Sequence, residues 1–425
     1  MVMPSIAQNL RTFGFAPVLA FTHRDSGGAA ASSPARWRQT MESLIDHFSI
    51  HPDSQLAQTT RASAPAAAAS RRVASAAPAK ARIYPNLGIM YGTVDREGLA
   101  ALRSAPEVSR ISVAPQPSLI RPVARAAASL RTTTTWGLRS IGASELWAAG
   151  LSGKDVKIGH LDTGLDANHP ALAGAVAAYA EFDVGGIELA GAAPHDTDLV
   201  EGHGTHTAAT IAGRAVRGRH VGVAPGAALY AATVIEGGDI IARILAGMDW
   251  VVGEGVRVLS LSLGIRGYVT DFLGIVDVLR DSGVLPVVAV GNEGAGTSRS
   301  PGNYPRVLSV GYYSEQDRVA DDSSSQRFPR RSQPLVPDVV APGEDVISAR
   351  AGGGWRQLSG SSMAVPHVTG LAALLLEAHP TATVSRLERA IQSSAKLGSL
   401  ARERANRGAV TGPGALAALD RAMRR

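Results

Sequence analysis

Residues 358–380 read LSGSSMAVPHVTGLAALLLEAHP, a long apolar run that opens with small hydroxyl residues. The apolar part is typical of a helix anchored in a protein core. At the start of that helix, Ser362 would lie beside free backbone N–H groups and the positive end of the helix dipole, which favour an oxyanion. Gly360 and Ser361 would let a carbonyl group approach closely, and Pro366 is tolerable only near a helix start. The run therefore predicts a core helix that presents a serine at its N-terminus.

Around this run, apolar segments typical of strands alternate with helical segments near residues 204–214, 239–253 and 271–282. Such alternation indicates an α/β fold, a parallel sheet covered by helices on both faces, and we assign it to residues 136–425. In such sheets functional groups gather at the carboxyl ends of the strands, where Asp162 and Asn292 are expected. The segments interpreted as strands are VKIGHLDTG, ALYAATVI, VRVLSLSLG, VLPVVAVGN and VLSVGYY.

Three short segments carry one member each of an Asp, His and Ser network: GHLDTGLD around Asp162, EGHGTHTAAT around His203, and SGSSMAVPH around Ser362. Serine is a weak nucleophile that needs a base, and an imidazole base needs a carboxylate to fix its tautomer. A side-chain amide in a tight turn, such as Asn292 in VGNEGAG, could supply a second donor to the oxyanion.

These segments, in the order Asp, His, Ser and together with SLSLG and AVGNEG, resemble the subtilisin-like serine peptidases over roughly residues 135–425. The resemblance implies that Asp162 orients the imidazole, His203 is the general base and acid, and Ser362 attacks the carbonyl. It selects His203 over His206 and Ser362 over Ser361. It also implies an extended substrate, whose P1 side chain precedes the cleaved bond and lies between two segments. Those segments are Ser262, Leu263 and Gly264, and Ala289, Val290 and Gly291.

Metal sites receive little support. His203 and His206 lack the H-E-x-x-H carboxylate and a third ligand, so we expect no zinc. Many members of the resembled family bind calcium after the catalytic Asp segment, but Ala171 stands where a carboxylate is expected. The accompanying loop offers Arg214 and Arg219, which do not suit a hard cation. We expect that site to be absent and no cofactor to be required, with calcium elsewhere left open.

The formal net charge of +6 arises in the first 135 residues, where Lys and Arg outnumber Asp and Glu by 15 to 7. These Arg residues are scattered among Ala, Ser and Pro, which does not favour a nucleic-acid partner. Residues 14–114 alternate strand, helix, strand, helix and strand, and look like the inhibitor-type propeptide of the same family. We therefore assign residues 1–114 to a small α+β propeptide-like domain, interrupted by a flexible Ala/Arg-rich insertion at 54–81.

Residues 115–135 contain three prolines and no clear periodicity, so we expect an extended linker that is cut during self-processing. The N-terminal domain would then be an intramolecular inhibitor, in addition to protein or peptide substrates as partners. We expect no membrane span, because Pro366, His367 and Gly370 interrupt the longest apolar run. With no Cys and no clear signal peptide, the compartment stays open, secreted or cytoplasmic.

The leading hypothesis is a serine endopeptidase that forms an acyl-enzyme and is made as a precursor. The alternative is a catalytically silent subtilisin-fold protein that binds peptides or regulates. An esterase is disfavoured, since its nucleophile is expected in G-x-S-x-G with the order Ser, Asp, His. For Arg299, which follows the loop after Asn292, two interpretations arise. It approaches the P1 pocket and favours an acidic or polar P1 residue, or it faces solvent, the usual and favoured position for Arg.

Overall fold

The computed structural model describes residues 4–23, 34–62, 79–235 and 237–424. In its N-terminal part, four antiparallel strands form a sheet in the spatial order β2-β3-β1-β4, where β1 is Ala16–Thr22, β2 is Ala81–Tyr84, β3 is Ile89–Val94 and β4 is Val108–Val113. The accompanying helices are α1 (Ile6–Thr12), α2 (Pro34–Leu44), α3 (Gln55–Ala62) and α4 (Arg96–Ser104). A small apolar core that includes Val18, Met41 and Leu102 joins helices to sheet.

Three differences from the sequence-based expectation lie in this part, and the first is the strand β2, which the predicted order of three strands and two helices did not include. The N-terminal α1, which begins with a capping box between Ser5 and Gln8, was not expected. Within the expected flexible insertion at 54–81, residues Gln55–Ala62 form a helix, so that part of the expectation was wrong. The buried Leu56 explains the order, because it joins the apolar cluster that spans the N-terminal and C-terminal parts. Residues 63–78 of the insertion lie outside the described residues.

The predicted linker, residues 115–135, contributes two short strands to other parts of the fold. These are β5 (Ser118–Leu119) and β6 (Val123–Ala128).

The C-terminal part contains the expected parallel sheet, which confirms the α/β fold class. Its strands are β7 (Lys157–Asp162), β8 (Val176–Glu181), β9 (Ala228–Thr233), β10 (Val258–Leu261), β11 (Leu263–Arg266), β12 (Leu285–Ala289), β13 (Arg299–Ser300), β14 (Leu308–Tyr313), β15 (Gln326–Arg327), β16 (Leu335–Val336), β17 (Val339–Pro342), β18 (Val346–Ala349) and β19 (Trp355–Ser359). Seven of them pair in parallel in the order β17-β14-β12-β10-β7-β9-β8. Because all seven point the same way, the ends of β7, β10 and β12 share one edge of the sheet.

The helices of the C-terminal part pack on this sheet or on one another. They are α5 (Trp136–Ile141), α6 (Ala143–Ala148), α7 (His203–Ala212), α8 (Ile240–Gly253), α9 (Leu273–Asp281), α10 (Ser361–Ala378), α11 (Val384–Ser394), α12 (Arg402–Ala405) and α13 (Gly412–Met423). The sequence pattern located α7, α8 and α9 to within about two residues at each end, the usual uncertainty of helix boundaries. It did not identify β8 or β17, which are the two edge strands of the sheet.

The core helix predicted from residues 358–380 is α10, and it lies in the centre of the C-terminal part. Every residue from Ser361 to Leu376 is buried, and the helix packs against α7 and against β10, β12, β14 and β17. Within the described residues, it is the one helix with the length and composition of a membrane span. Its burial on all sides identifies it as the core helix of a globular fold.

Candidate active site

The sheet edge brings together the first two members of the predicted network. Asp162 is the last residue of β7, and His203 is the first residue of α7. His203 Nδ1 donates to Asp162 Oδ1 at 2.7 Å, and both side chains are buried. Burial alone would lower the pKa of His203, but the charge and hydrogen bond of Asp162 outweigh it and raise that pKa. The pair can therefore hold the imidazole in one tautomer with Nε2 free to accept a proton.

Asp196, which the sequence analysis did not identify, is a buried carboxylate that supports this pair. Asp196 accepts from the Thr163 hydroxyl at 2.8 Å and from the Thr205 hydroxyl at 2.6 Å, so it ties the loop after Asp162 to the first turn of α7. Burial raises the pKa of Asp196 to about 6. Gly204 allows the close approach, because a Cβ there would lie 1.9 Å from the carbonyl oxygen of Gly164. The available sequence signal was the threonine close after each member of the pair, Thr163 after Asp162 and Thr205 after His203.

Ser362 is the second residue of α10, as the sequence predicted for the nucleophile. Pro366 lacks the N–H that would bond to the Ser362 carbonyl four residues earlier. The hydroxyl of Ser262 donates to that carbonyl at 3.5 Å instead, which helps this helix start to accommodate proline. The Ser362 hydroxyl itself donates to the carbonyl oxygen of Ile120 at 2.7 Å. His203 Nε2 is buried and has no hydrogen-bond partner among the described residues.

Asn292 contacts Ser361, the residue before Ser362, from the turn that follows β12. Gly291 precedes it with φ of 120°, a backbone conformation that favours glycine. The amide oxygen of Asn292 accepts from the backbone N–H and the hydroxyl of Ser361, at 2.9 and 2.7 Å. These bonds turn its Nδ2 toward the cleft, where it donates to the carbonyl oxygen of Arg121 at 3.0 Å. The predicted oxyanion donor is thus oriented, and it contacts the linker.

The linker runs through the cleft as an extended strand. Its β5 pairs antiparallel with β11, with Leu119 opposite Leu263 and Ser118 opposite Gly264. The Ile120 N–H continues this ladder by donating to the Ser262 carbonyl at 3.0 Å. The segment Ser262–Gly264, predicted to bind substrate, therefore binds the chain's own residues 118–120.

The segment predicted to be the second wall of the P1 pocket, Ala289, Val290 and Gly291, is buried. Between the two walls lies Arg299: a Cβ added at Gly264 would meet its Cβ at 3.0 Å, and one added at Gly291 would meet its Cγ at 3.2 Å. Only 8% of Arg299 is exposed, so the interpretation that it faces solvent was wrong. Its guanidinium pairs with Glu293, which explains how a charged side chain can be buried there.

Other histidines near the site have structural surroundings. His206 donates Nε2–H to the carbonyl oxygens of Val346 and Arg356 at 3.0 and 3.2 Å, and burial lowers its pKa to about 3, so it stays neutral. His367 donates to the Met363 carbonyl at 2.8 Å inside α10. Within the part of the chain that the structure describes, His, Asp and Glu form no group of three that could hold a metal ion.

The region considered for calcium contains a cationic side chain. The Arg214 guanidinium donates to the carbonyls of Ala212, Gly174 and Ala227 at 3.0, 2.8 and 3.1 Å, and its backbone N–H donates to the Ala171 carbonyl at 2.6 Å. Carbonyl oxygens that accept from a guanidinium are not available to a hard cation. These residues therefore do not fit calcium at this position.

The N-terminal sheet contacts α8 through a second carboxylate missed from sequence. Asp249 Oδ1 accepts from the backbone N–H groups of Asn86 and Leu87 at 2.7 and 3.0 Å. Tyr91 donates to Asp239, the residue that caps α8, at 2.7 Å. Burial raises the pKa of Asp249 to about 6. The domain is thus held against the C-terminal part at α8 and, through the linker, at the cleft.

Comparisons with known proteins identify relatives of this chain. A family model described as the subtilase family matches residues 153–412. Subtilisin E of Bacillus subtilis (strain 168) is 35% identical over 269 residues, which cover 61% of this chain and 65% of that protein. Subtilisin of Bacillus pumilus is 34% identical over 269 residues, covering 61% of this chain and 90% of its own. The major intracellular serine protease of Bacillus subtilis (strain 168) is 35% identical over 249 residues, or 56% and 74% of the two chains.

Proposed function

This chain belongs to the subtilase family, and from that premise we propose that it is a serine endopeptidase that hydrolyses peptide bonds through an acyl-enzyme. Ser362 is the nucleophile, His203 the general base and acid, Asp162 the orienting carboxylate and Asn292 an oxyanion donor. The observation that carries the proposal is the strand bound in the cleft. The carbonyl of Ile120 lies against the Ser362 hydroxyl, and its N–H is held by Ser262.

The chemical steps follow from these positions. His203 Nε2 removes the Ser362 proton as Oγ attacks the substrate carbonyl carbon, and Asp162 stabilises the imidazolium that forms. The Asn292 amide and the N-terminus of α10 stabilise the oxyanion. The intermediate expels the leaving amine, to which His203 returns the proton. Water then hydrolyses the acyl-enzyme by the same proton transfers in reverse order.

We further propose that the chain is a self-processed precursor and that its first substrate is the bond between Ile120 and Arg121. The register supports this bond, because Ser118, Leu119 and Ile120 pair in succession with Gly264, Leu263 and Ser262. Ile120 is fully buried, as a P1 side chain in an apolar pocket would be. After cleavage, residues up to Ile120 would stay bound through Asp249 and Asp239 and act as an inhibitor.

A catalytically silent regulatory protein is the second candidate, and one observation favours it. The Ser362 hydroxyl bonds to Ile120 rather than to His203, and Asn292 donates to the Arg121 carbonyl rather than to that of Ile120. In that arrangement the linker blocks the cleft without being attacked. A reactive state would differ from this one in that the Asn292 amide would donate to the Ile120 carbonyl and not to the Arg121 carbonyl.

A fluorophosphonate probe distinguishes the two candidates, because it labels only an activated serine. The parent protein should be labelled at Ser362 and should cleave an unfolded protein substrate, whereas Ser362→Ala should do neither. Ser361→Ala is the matched control, since it removes the adjacent hydroxyl of the same helix turn and should still be labelled. A folded parent protein that is never labelled, before or after removal of residues 1–120, would support the silent protein.

A further inference from the structure

The linker continues beyond the Ile120–Arg121 bond along a second strand edge. Its β6 pairs antiparallel with β19, with Val123 opposite Ser359, Ala124 opposite Leu358 and Ala128 opposite Trp355. On its other side β19 pairs with β18, so β6 completes a three-stranded sheet. Without β6, β19 would be an edge strand with unpaired N–H and C=O groups, which readily pair with an added strand.

The second feature is a carboxylate close to the part of the linker that follows Ile120. Glu201 is in the loop immediately before His203, and its Oε2 is buried without a hydrogen-bond partner among the described residues. Burial and the negative charge of Asp198 raise the pKa of Glu201, while the positive charges of His203, Arg121 and Arg356 lower it. Arg121 is the residue directly after the proposed cleavage bond, and Arg356 belongs to β19.

These two features lie on the same side of the bond. The Arg356 guanidinium donates to the Val200 carbonyl, which joins β19 to the loop that carries Glu201. Arg356 Nη1 bonds to that backbone carbonyl, and Glu201 Oε2 has no hydrogen-bond partner among the described residues, so Glu201 can accept from a basic residue of the bound strand. The loop and the strand edge therefore form one continuous surface for the part of a substrate that follows the cleaved bond.

We propose that this surface selects substrates by their leaving-group side: Glu201 accepts a basic side chain directly after the cleaved bond, and β19, once β6 has left it after self-cleavage, pairs with the substrate backbone beyond that bond. The inference rests on the proposed function and adds the substrate class. The favoured substrate is an unstructured chain with Arg or Lys at that position, called P1′, followed by an extended segment. Short peptides that end near the cleaved bond would lack the contacts with β19.

Charge selection is tested with mature enzyme and pairs of fluorogenic peptides that differ only by Arg or Glu at P1′. We expect kcat/KM to favour Arg by about five- to thirtyfold, the combined size of one attraction and one repulsion at a partly exposed site. In Glu201→Gln, which keeps the shape of the side chain, the ratio should fall to within about twofold. The matched control is Glu254→Gln, at the far end of α8, and it should keep the parent ratio.

Strand pairing is tested with peptides that end either at the position of Pro122 or at that of Ala128. The longer peptide should be cleaved with at least ~tenfold higher kcat/KM, because it adds main-chain hydrogen bonds along β19.

A charge exchange in the precursor gives an independent readout. Arg121→Glu should slow self-cleavage, and adding Glu201→Arg should restore it. If Arg121→Glu slowed cleavage only because the protein misfolded, the second substitution would not restore the rate. Equal cleavage of the Arg and Glu peptides, or an unchanged ratio in Glu201→Gln, would overturn the inference and leave the proposed function standing. If the parent cleaves no peptide at all, the proposed function fails and the inference fails with it.

Discussion

The Ser362 hydroxyl donates to the Ile120 carbonyl at 2.7 Å, so the candidate nucleophile contacts a residue 242 positions earlier in its own chain. Serine side chains at helix N-termini commonly bond within their own helix. Here the bond is made to an extended strand that also pairs with Ser262 and Gly264. The contact links the candidate catalytic residues to a candidate substrate.

Loss of the side-chain oxyanion donor should affect turnover more than binding. In Asn292→Leu, we expect kcat to fall by ~10² to 10³ with a small change in KM, because the donor acts on charge that develops in the transition state. Ser361→Ala removes one of the bonds that orient the amide and should cost no more than ~tenfold. Steady-state kinetics on the mature enzyme measure both, and a kcat within threefold of the parent in Asn292→Leu would contradict the assigned role.

The pH dependence should follow the Asp162–His203 pair. Although burial opposes it, Asp162 raises the pKa of His203, and the base must be neutral to accept a proton. The rise of kcat/KM with pH should therefore lie above the ordinary histidine range. Asp162→Asn should move this rise to lower pH and reduce kcat by ~10⁴. Exposed Asp155→Asn is the control, and an unmoved profile in Asp162→Asn would show that another group controls the acid limb.

Arg299 should limit the size of the P1 residue. Because its side chain lies between Gly264 and Gly291, Arg299→Ala should enlarge the pocket and raise the kcat/KM ratio of Phe to Val at P1 by at least ~tenfold. Arg266→Ala is the matched control, since Arg266 also approaches Glu293, at 3.5 Å, but is 76% exposed. A peptide library that shows the same P1 preference for Arg299→Ala as for the parent would rule out this role.

Much of this arrangement could be predicted because it depends on local patterns. The apolar runs before Asp162 and Asn292 fix two strand ends at one sheet edge, and SGSSMAVPH fixes a serine at a helix start. The burial of Arg299 could not be predicted, because it depends on a partner, Glu293, that makes a buried guanidinium tolerable. The contact between Asp249 and Asn86 depends on the docking of two parts of the chain, which no local pattern encodes.

The position of Ile120 in the cleft also could not be predicted from a local sequence pattern. From sequence, residues 115–135 were expected to be extended, but their prolines and irregular pattern gave no register. The register comes from long-range pairing of Ser118 with Gly264 and of Val123 with Ser359. Strand pairing over such sequence separations is set by the partner surface, so a candidate cleavage bond could be named only from the structure.

The most direct test of self-processing at the cleft is intact mass and N-terminal sequencing of purified parent protein beside Ser362→Ala. We expect the parent to yield a new N-terminus at Arg121 and a separate fragment that ends at Ile120, while Ser362→Ala stays full length. A parent that remains uncut while folded, or a Ser362→Ala protein that is cut at the same bond, would contradict the account.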